Sequence, residues 1–408
     1  MTRDECVALD ARDPLAHVRN HFSLPEGIIY LDGNSLGALP KSVGPRLRKA
    51  VDVEWGQGLI RSWNEAGWYR APQRIGAKIA TLIGAPPDEV IVTDSTSIDL
   101  FKVLVGALRM RPGRKRVLGV VGDFPTDSYI AAGVADAFNA NFESASADKL
   151  IAAIDENVAA VSLTHVNYRT GFVHDMRAIT AAAHANGALI VWDLSHTAGV
   201  MPVEINAIGA DFAVGCGYKY LNGGPGAPAY VFVAKRHHDT FHHPLTGWFG
   251  HADPFAFAKD FVPAQGMDKL LTGTPPILSL IAFEAALDAF EGVDMAAVRT
   301  KVQRLTQLFI DLVDERLARY DFTLASPRDA ARRGAQVSLA HPEAYAIIQA
   351  VIARGVIGDF RAPDIARFGF APLYTRYADV YDAVATIDAV MTSRAWDTPA
   401  FKSRNAVT

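Results

Sequence analysis

The chain has only two cysteines in 408 residues, Cys6 and Cys216. They are too few for a disulfide framework, and their separation matches no zinc-binding spacing. Basic charge is also scarce, with 40 Lys and Arg against 44 Asp and Glu and a formal net charge of -4. With no long basic block, nucleic acid and other polyanions are not the indicated partners, and a small molecule is. No uncharged run reaches the length of a membrane span, and the opening Met-Thr-Arg-Asp-Glu carries charge where a secretory signal would be apolar. The expectation is a cytoplasmic protein.

Apolar residues, by contrast, are abundant, at 50%. A chain of this length exceeds what one core usually holds, so two lobes are expected. We place an N-terminal arm at 1–28, a large ligand-binding lobe at 29–281 and a smaller α+β lobe at 282–408. Apolar strand patterns alternate with helical ones through the large lobe, which predicts an α/β fold with a mostly parallel sheet covered on both faces.

The most informative stretch runs from 188 to 222. The apolar run Ala188-Leu-Ile-Val-Trp-Asp193 reads as a buried strand ending in an acid, followed by Leu194-Ser195-His196. The next run, Ala210 to Gly217, delivers Tyr218-Lys219-Tyr220. An amine and a carboxylate thus reach one sheet edge. Pyridoxal phosphate requires that pair: a lysine that condenses with its aldehyde and an acid that keeps its ring nitrogen protonated. The glycine cluster at 223–226 is neither a phosphate loop ending in Lys-Ser/Thr nor a G-x-G-x-x-G, and reads as close backbone packing beneath the lysine.

Other segments offer weaker signals. Tyr30 to Gly37 is a short strand running into a glycine loop that can approach a ligand or another subunit, or is simply a turn. Thr96 and Ser97 open a helix after the strand ending at Thr93, which is either an ordinary cap or a phosphate site on free N–H groups. Phe124, just past another strand end, is either core or a ring stacked on a flat cofactor. Trp63 and Trp248 suit a pocket wall or the core. His237, His238, His242 and His243 have no acid or cysteine at matching spacing, so a solvated helix face is preferred to a metal site. Arg367, near the end of a C-terminal strand, is either a surface residue or a bidentate partner for a substrate carboxylate.

Taken together these motifs resemble the kynureninase family, within the aspartate-aminotransferase-like fold type I of pyridoxal-phosphate enzymes. The resemblance rests on Tyr30-Leu-Asp-Gly-Asn-Ser-Leu-Gly37, Phe124-Pro-Thr-Asp127, Asp193-Leu-Ser-His196, Gly217-Tyr218-Lys219-Tyr-Leu-Asn222, Gly247-Trp248-Phe-Gly-His251, Pro275-Pro276-Ile-Leu and Arg367 ahead of Ala371-Pro-Leu-Tyr374. It implies a cofactor bound by Lys219, with Asp193 at the ring nitrogen and Phe124 stacked on the ring. Thr96, Ser97, Asp127, His196, Tyr218 and Trp248 would hold the phosphate or ring substituents, and Thr164 would lie near the cofactor. Thr274 would reach the phosphate of the neighbouring subunit in a homodimer, and Arg367 would take the substrate's α-carboxylate. The implied activity is hydrolytic Cβ–Cγ cleavage of L-kynurenine to anthranilate and L-alanine in tryptophan catabolism. Lys219 would be the general base and Tyr218 the proton carrier. Gly273-Thr274 stands where animal relatives carry Ser-Asn, and with Trp63 near the pocket this is the bacterial pattern, favouring kynurenine over 3-hydroxykynurenine.

The nearest competing reading is a pyridoxal-phosphate-dependent class V aminotransferase, because one fold supports both chemistries. A cysteine desulfurase fits poorly, since Cys216 precedes the lysine within an apolar strand instead of lying on a loop beyond it. A cofactor-binding regulator without turnover is a further alternative, although the small lobe has no basic recognition helix.

Overall fold

A computed structural model describes residues 1–404. Its centre is a seven-stranded sheet in the order Val90–Thr93, Ala229–Val233, Phe212–Cys216, Leu189–Asp193, Val158–Thr164, Arg116–Val120, Asn141–Ala145. Only Ala229–Val233 runs against its neighbours, and every other pairing is parallel. The expected mostly parallel sheet is therefore present. Its outer strand Asn141–Ala145 and the helix Pro125–Ala137 before it were not anticipated.

The strands read as unbroken apolar runs because both faces are buried. Successive side chains alternate between two separate cores: Ile190 and Trp192 pack into one, Leu189 and Val191 into the other. The reversed strand obeys the same rule, with Tyr230 and Phe232 on one face and Val231 and Val233 on the other. Helix Thr96–Met110 covers one face across four strands, while Ala71–Ile83 packs against Val90–Thr93.

A second, four-stranded antiparallel sheet, in the order Thr323–Leu324, Gln336–Ala340, Ile365–Gly369, Asp359–Arg361, carries Arg367. Its core joins Val337, Phe368 and Val384 with Cys6 from the N-terminal helix Arg3–Asp10. The helix Met295–Arg316 spans both lobes: Val298 and Val302 belong to the large-lobe core, and Leu305 to Val313 line the small one. The N-terminal segment is fastened to this lobe as well. Asp10 accepts the first free N–H groups of helix Tyr377–Thr392, at 2.7 Å from Tyr377 N and 3.0 Å from Ala378 N.

Among the described residues no helix is long and apolar enough to cross a membrane. The four histidines at 237–243 are not a solvated helix face. His243 is buried and bonds the Lys269 carbonyl, His238 bonds the Val233 carbonyl, and His237 pairs with Asp211 at 2.7 Å, leaving only His242 exposed. Asp211 also holds His184 and Arg236; although burial alone would raise its pKa, these partners hold the carboxyl at about 2.

Candidate active site at the carboxyl edge of the sheet

Parallel strands bring their carboxyl ends to one edge, and the sequence places polar residues at each of those ends. Thr164 and Asp193 lie side by side in register, as do Asp193 and Val214 on the next strand. Just beyond Val214 the chain leaves the sheet at Cys216 and turns through Tyr218 and Lys219. Asp193 is buried, and its Oδ1 accepts from Ser195 N at 2.6 Å. Ser195 Oγ in turn accepts from Cys216 N at 3.2 Å, which ties the acid's strand to the lysine's.

Lys219 is half-buried with its Nζ 5.6 Å from the Phe124 ring centre and 5.9 Å from that of Tyr218. Glycine is required around this turn. Gly37 N donates to Tyr218 O at 2.8 Å, and a Cβ at Gly37 would collide with Lys219 O and Asn222. The glycine loop 33–37 therefore approaches the lysine turn of its own chain. Gly223 is similarly confined, since a Cβ there would lie 2.6 Å from Phe283 and 2.8 Å from Gly217 O. Gly224 and Gly226 have open space, so close packing holds for the first glycine of that cluster only.

Three carboxyls crowd the same edge. Asp123 accepts from Phe124 N at 3.0 Å, from Thr164 N at 2.8 Å and from the Thr164 hydroxyl. Burial raises its pKa. Asp127 is pushed much further up, first by burial and then by Asp193 and Asp123 beside it, and it shares a hydrogen bond with Asp193. Across from these acids, His196 is held neutral by burial and by the Lys219 and Arg367 cations. Its Nδ1 meets Gln336 Oε1 at 3.0 Å, and Gln336 Nε2 donates to Tyr168 O at 2.7 Å. Burial likewise raises the pKa of the Tyr218 phenol and the Cys216 thiol.

Thr96 and Ser97 occupy the first turn of their helix and are partly exposed, while Ser95 serves as its cap. Their backbone N–H groups therefore remain available at the helix start. Arg367 is buried, and its fork faces Asp359, with Nε 2.8 Å from Oδ1 and Nη2 bonded to Oδ2. The bidentate partner expected from a ligand is thus supplied by the protein. Trp63 packs on Trp68 and Phe249, Trp248 packs on Phe249 and Phe255, and Thr274 is exposed. Within one chain these three contribute an aromatic wall and an open loop instead of contacts to Lys219. Asp123, Gln336 and Asp359 were not singled out from sequence. Asp123 adjoins Phe124 at a strand end and was findable, whereas nothing local marks Gln336.

Comparison with known proteins shows the family and the fold to which this edge belongs. The chain is 50% identical to a kynureninase of Pseudomonas fluorescens and 49% identical to one of Burkholderia mallei, covering 100% of both chains in each case. The chain belongs to the kynureninase family. Residues 298–387 also match the family model for the kynureninase C-terminal domain. Among solved structures, a cysteine desulfurase from Thermococcus onnurineus superposes with a TM-score of 0.77 at 19% identity, covering 92% of this chain and 98% of that one. A C-DES mutant described with glycine covalently linked to its PLP cofactor gives 0.79 at 15% identity, over 91% and 98%. These likenesses establish the fold, which is the aspartate-aminotransferase-like fold of type I. The desulfurases share the architecture, while the full-length identity lies with the kynureninases.

Proposed function

We propose that this member of the family is a pyridoxal-phosphate-dependent hydrolase that cleaves L-kynurenine with water to anthranilate and L-alanine, and 3-hydroxykynurenine more weakly. The observation that carries this reading is Lys219 lying over Phe124 beside the buried Asp193, in a chain half identical to kynureninases along its whole length. The residues present fit the cofactor. Three buried carboxyls, Asp123, Asp127 and Asp193, lie at this edge with Lys219 acting on Asp127, and a protonated ring nitrogen is the charge that such an acid-rich edge accommodates.

When bound, pyridoxal phosphate withdraws electrons from the substrate's Cα. This chain's residues do the rest. Asp193 would hold the proton on the ring nitrogen, and Phe124 would stack against the ring. Thr96 and Ser97, with Trp248, Asp127, Thr164 and His196, would hold the phosphate and ring substituents. Lys219 Nζ takes the α-proton as general base; water adds at the γ-carbonyl, the Cβ–Cγ bond breaks to release anthranilate, and the Tyr218 hydroxyl gives a proton to the β-carbon of the alanine fragment. The high Tyr218 pKa keeps this hydroxyl protonated and able to donate. Arg367 takes the α-carboxylate, and Trp63 borders the aromatic end of the substrate.

A homodimer is part of this reading, with Thr274 reaching the phosphate of the other subunit. Its support is an open apolar groove of about 770 Å³ lined by Leu36, Leu39, Val51 and Leu278, with Trp55, Leu59 and Ile60 also exposed. We place the dimer in the cytoplasm, with lobe limits at 28 and 281. The test is to mix the cofactor-loaded protein with L-kynurenine and follow anthranilate fluorescence and alanine together. Equal amounts of both support the reading. A keto acid formed with a stable pyridoxamine form would instead support the aminotransferase alternative.

A further inference from the structure

Counting the donors around Arg367 leaves too few for the task that the proposed function gives it. A guanidinium has five N–H groups. Nε–H goes to Asp359 Oδ1 at 2.8 Å. Nη2 serves Asp359 Oδ2 and the Ser35 hydroxyl, the latter at 3.1 Å. Nη1 donates to Tyr168 O at 2.5 Å. The side-chain oxygen of Asn34, placed in its better-bonded orientation, crowds the Nε and Nη2 edge further, at 2.9 and 3.1 Å. Among the described residues one Nη1 hydrogen remains, which can make a single hydrogen bond to a carboxylate but not a fork.

A second guanidinium stands next to it. Arg361 shares the same anchor, with Nη2 2.7 Å from Asp359 Oδ2 and 3.2 Å from Ser35 Oγ, and Nη1 donates to Phe360 O at 3.1 Å. Among the described residues that leaves its Nε–H and its second Nη1 hydrogen uncommitted. Unlike Arg367, whose side chain is 1% exposed, that of Arg361 is 34% exposed. It belongs to the field of the active-site edge, since both Arg361 and Arg367 help to hold His196 neutral. Asp359 serves both arginines, and Asp32 beside them has its carboxyl pushed up to about 7 by burial and by Asp359. The group therefore has cationic capacity to spare for an incoming anion.

We infer that Arg361 is a second substrate-binding residue, so that the α-carboxylate is held between the last free N–H of Arg367 and the open donors of Arg361, with Asp359 as the positioning residue for both. The inference rests on the proposed function for the identity of the substrate, while the carboxylate site can be read separately. The test uses cofactor-loaded wild type, Arg361→Gln and Arg361→Lys. Dissociation constants are taken from changes in the cofactor absorbance for L-alanine, which carries the carboxylate, and for kynuramine, the kynurenine analogue without it. In Arg361→Gln the constant for L-alanine rises by at least about tenfold while that for kynuramine stays within about twofold of wild type. KM for L-kynurenine rises with the former, kcat falls less, and Arg361→Lys lies between. An unchanged L-alanine constant overturns the inference. So does equal weakening of both ligands, which would make Arg361 a support of the lobe contact only. Failure of the wild type to release anthranilate while this contrast persists would remove the proposed reaction and leave the carboxylate site standing.

Discussion

Asp123 anchors the backbone of Phe124, the ring proposed to stack on the cofactor, and Asp123→Ala tests that support. The carboxylate receives three donors, from Phe124 N, Thr164 N and the Thr164 hydroxyl, in a buried setting. Each buried donor left without a partner costs about 1–3 kcal/mol. Part of this is offset, because the burial that raises the Asp123 pKa is itself a desolvation cost that alanine removes, and because the Thr164 hydroxyl can rotate. The net expectation is a loss of about 2–4 kcal/mol in urea unfolding of the cofactor-free protein at fixed concentration. Thr164→Val removes one of the three donors and costs about 1–2 kcal/mol. The double variant costs less than the sum of the two, because they share a hydrogen bond. With its amide released, Phe124 stacks less firmly, and cofactor affinity falls by about two- to tenfold, read by the absorbance of the bound form. A stability for Asp123→Ala within about 0.5 kcal/mol of wild type, or strict additivity with Thr164→Val, would refute the reasoning.

Three further outcomes are expected. Lys219→Ala abolishes the absorbance band of lysine-bound cofactor and anthranilate release while the chain stays folded; a retained band would place the cofactor on another amine. Mixing Lys219→Ala with Thr274→Ala subunits restores activity to about a quarter of wild type, because random exchange leaves one site in four with both residues intact, and no restoration would put both residues in one subunit's site. His165, His174 and His196 are all held below the usual imidazole pKa chiefly by burial, with His165 at about 3 and His174 at about 4. Their imidazole ¹⁵N resonances remain those of the neutral ring down to about pH 5.5. The unfolded chain binds these protons below about pH 6.5 and the folded one does not, so these rings make stability fall as pH drops from about 6.5 towards 4. A titration of His196 near pH 6.5 would contradict the assignment.

Local pattern carried much of this protein. The apolar runs ending at Thr93, Thr164 and Asp193 read as buried strands, which they are, and their carboxyl ends are where a parallel sheet gathers ligands, so Lys219 and Asp193 were legible at one edge, while Phe124 was placed with them only by the family resemblance. The strand Asn141–Ala145 escaped because it lies at the sheet edge, partly exposed, and lacks the apolar run of the inner strands. Arg367 was visible as an arginine in an apolar strand, but its committed fork was not. Asp359 reaches it only because two antiparallel strands place those residues opposite each other.

What the sequence determined by itself was therefore which groups meet: the amine, the acid and the alternating layout that brings them to one edge. What the tertiary structure decided was how those groups are held. Gly37 admits the lysine turn of its own chain, Gln336 crosses from the small lobe to fix His196, and Asp359 binds two arginines and takes the fork of one. Periodicity along a chain reports which face of an element is buried. The partner that meets that face, and the donors left free once it has, are set by packing between elements distant in sequence.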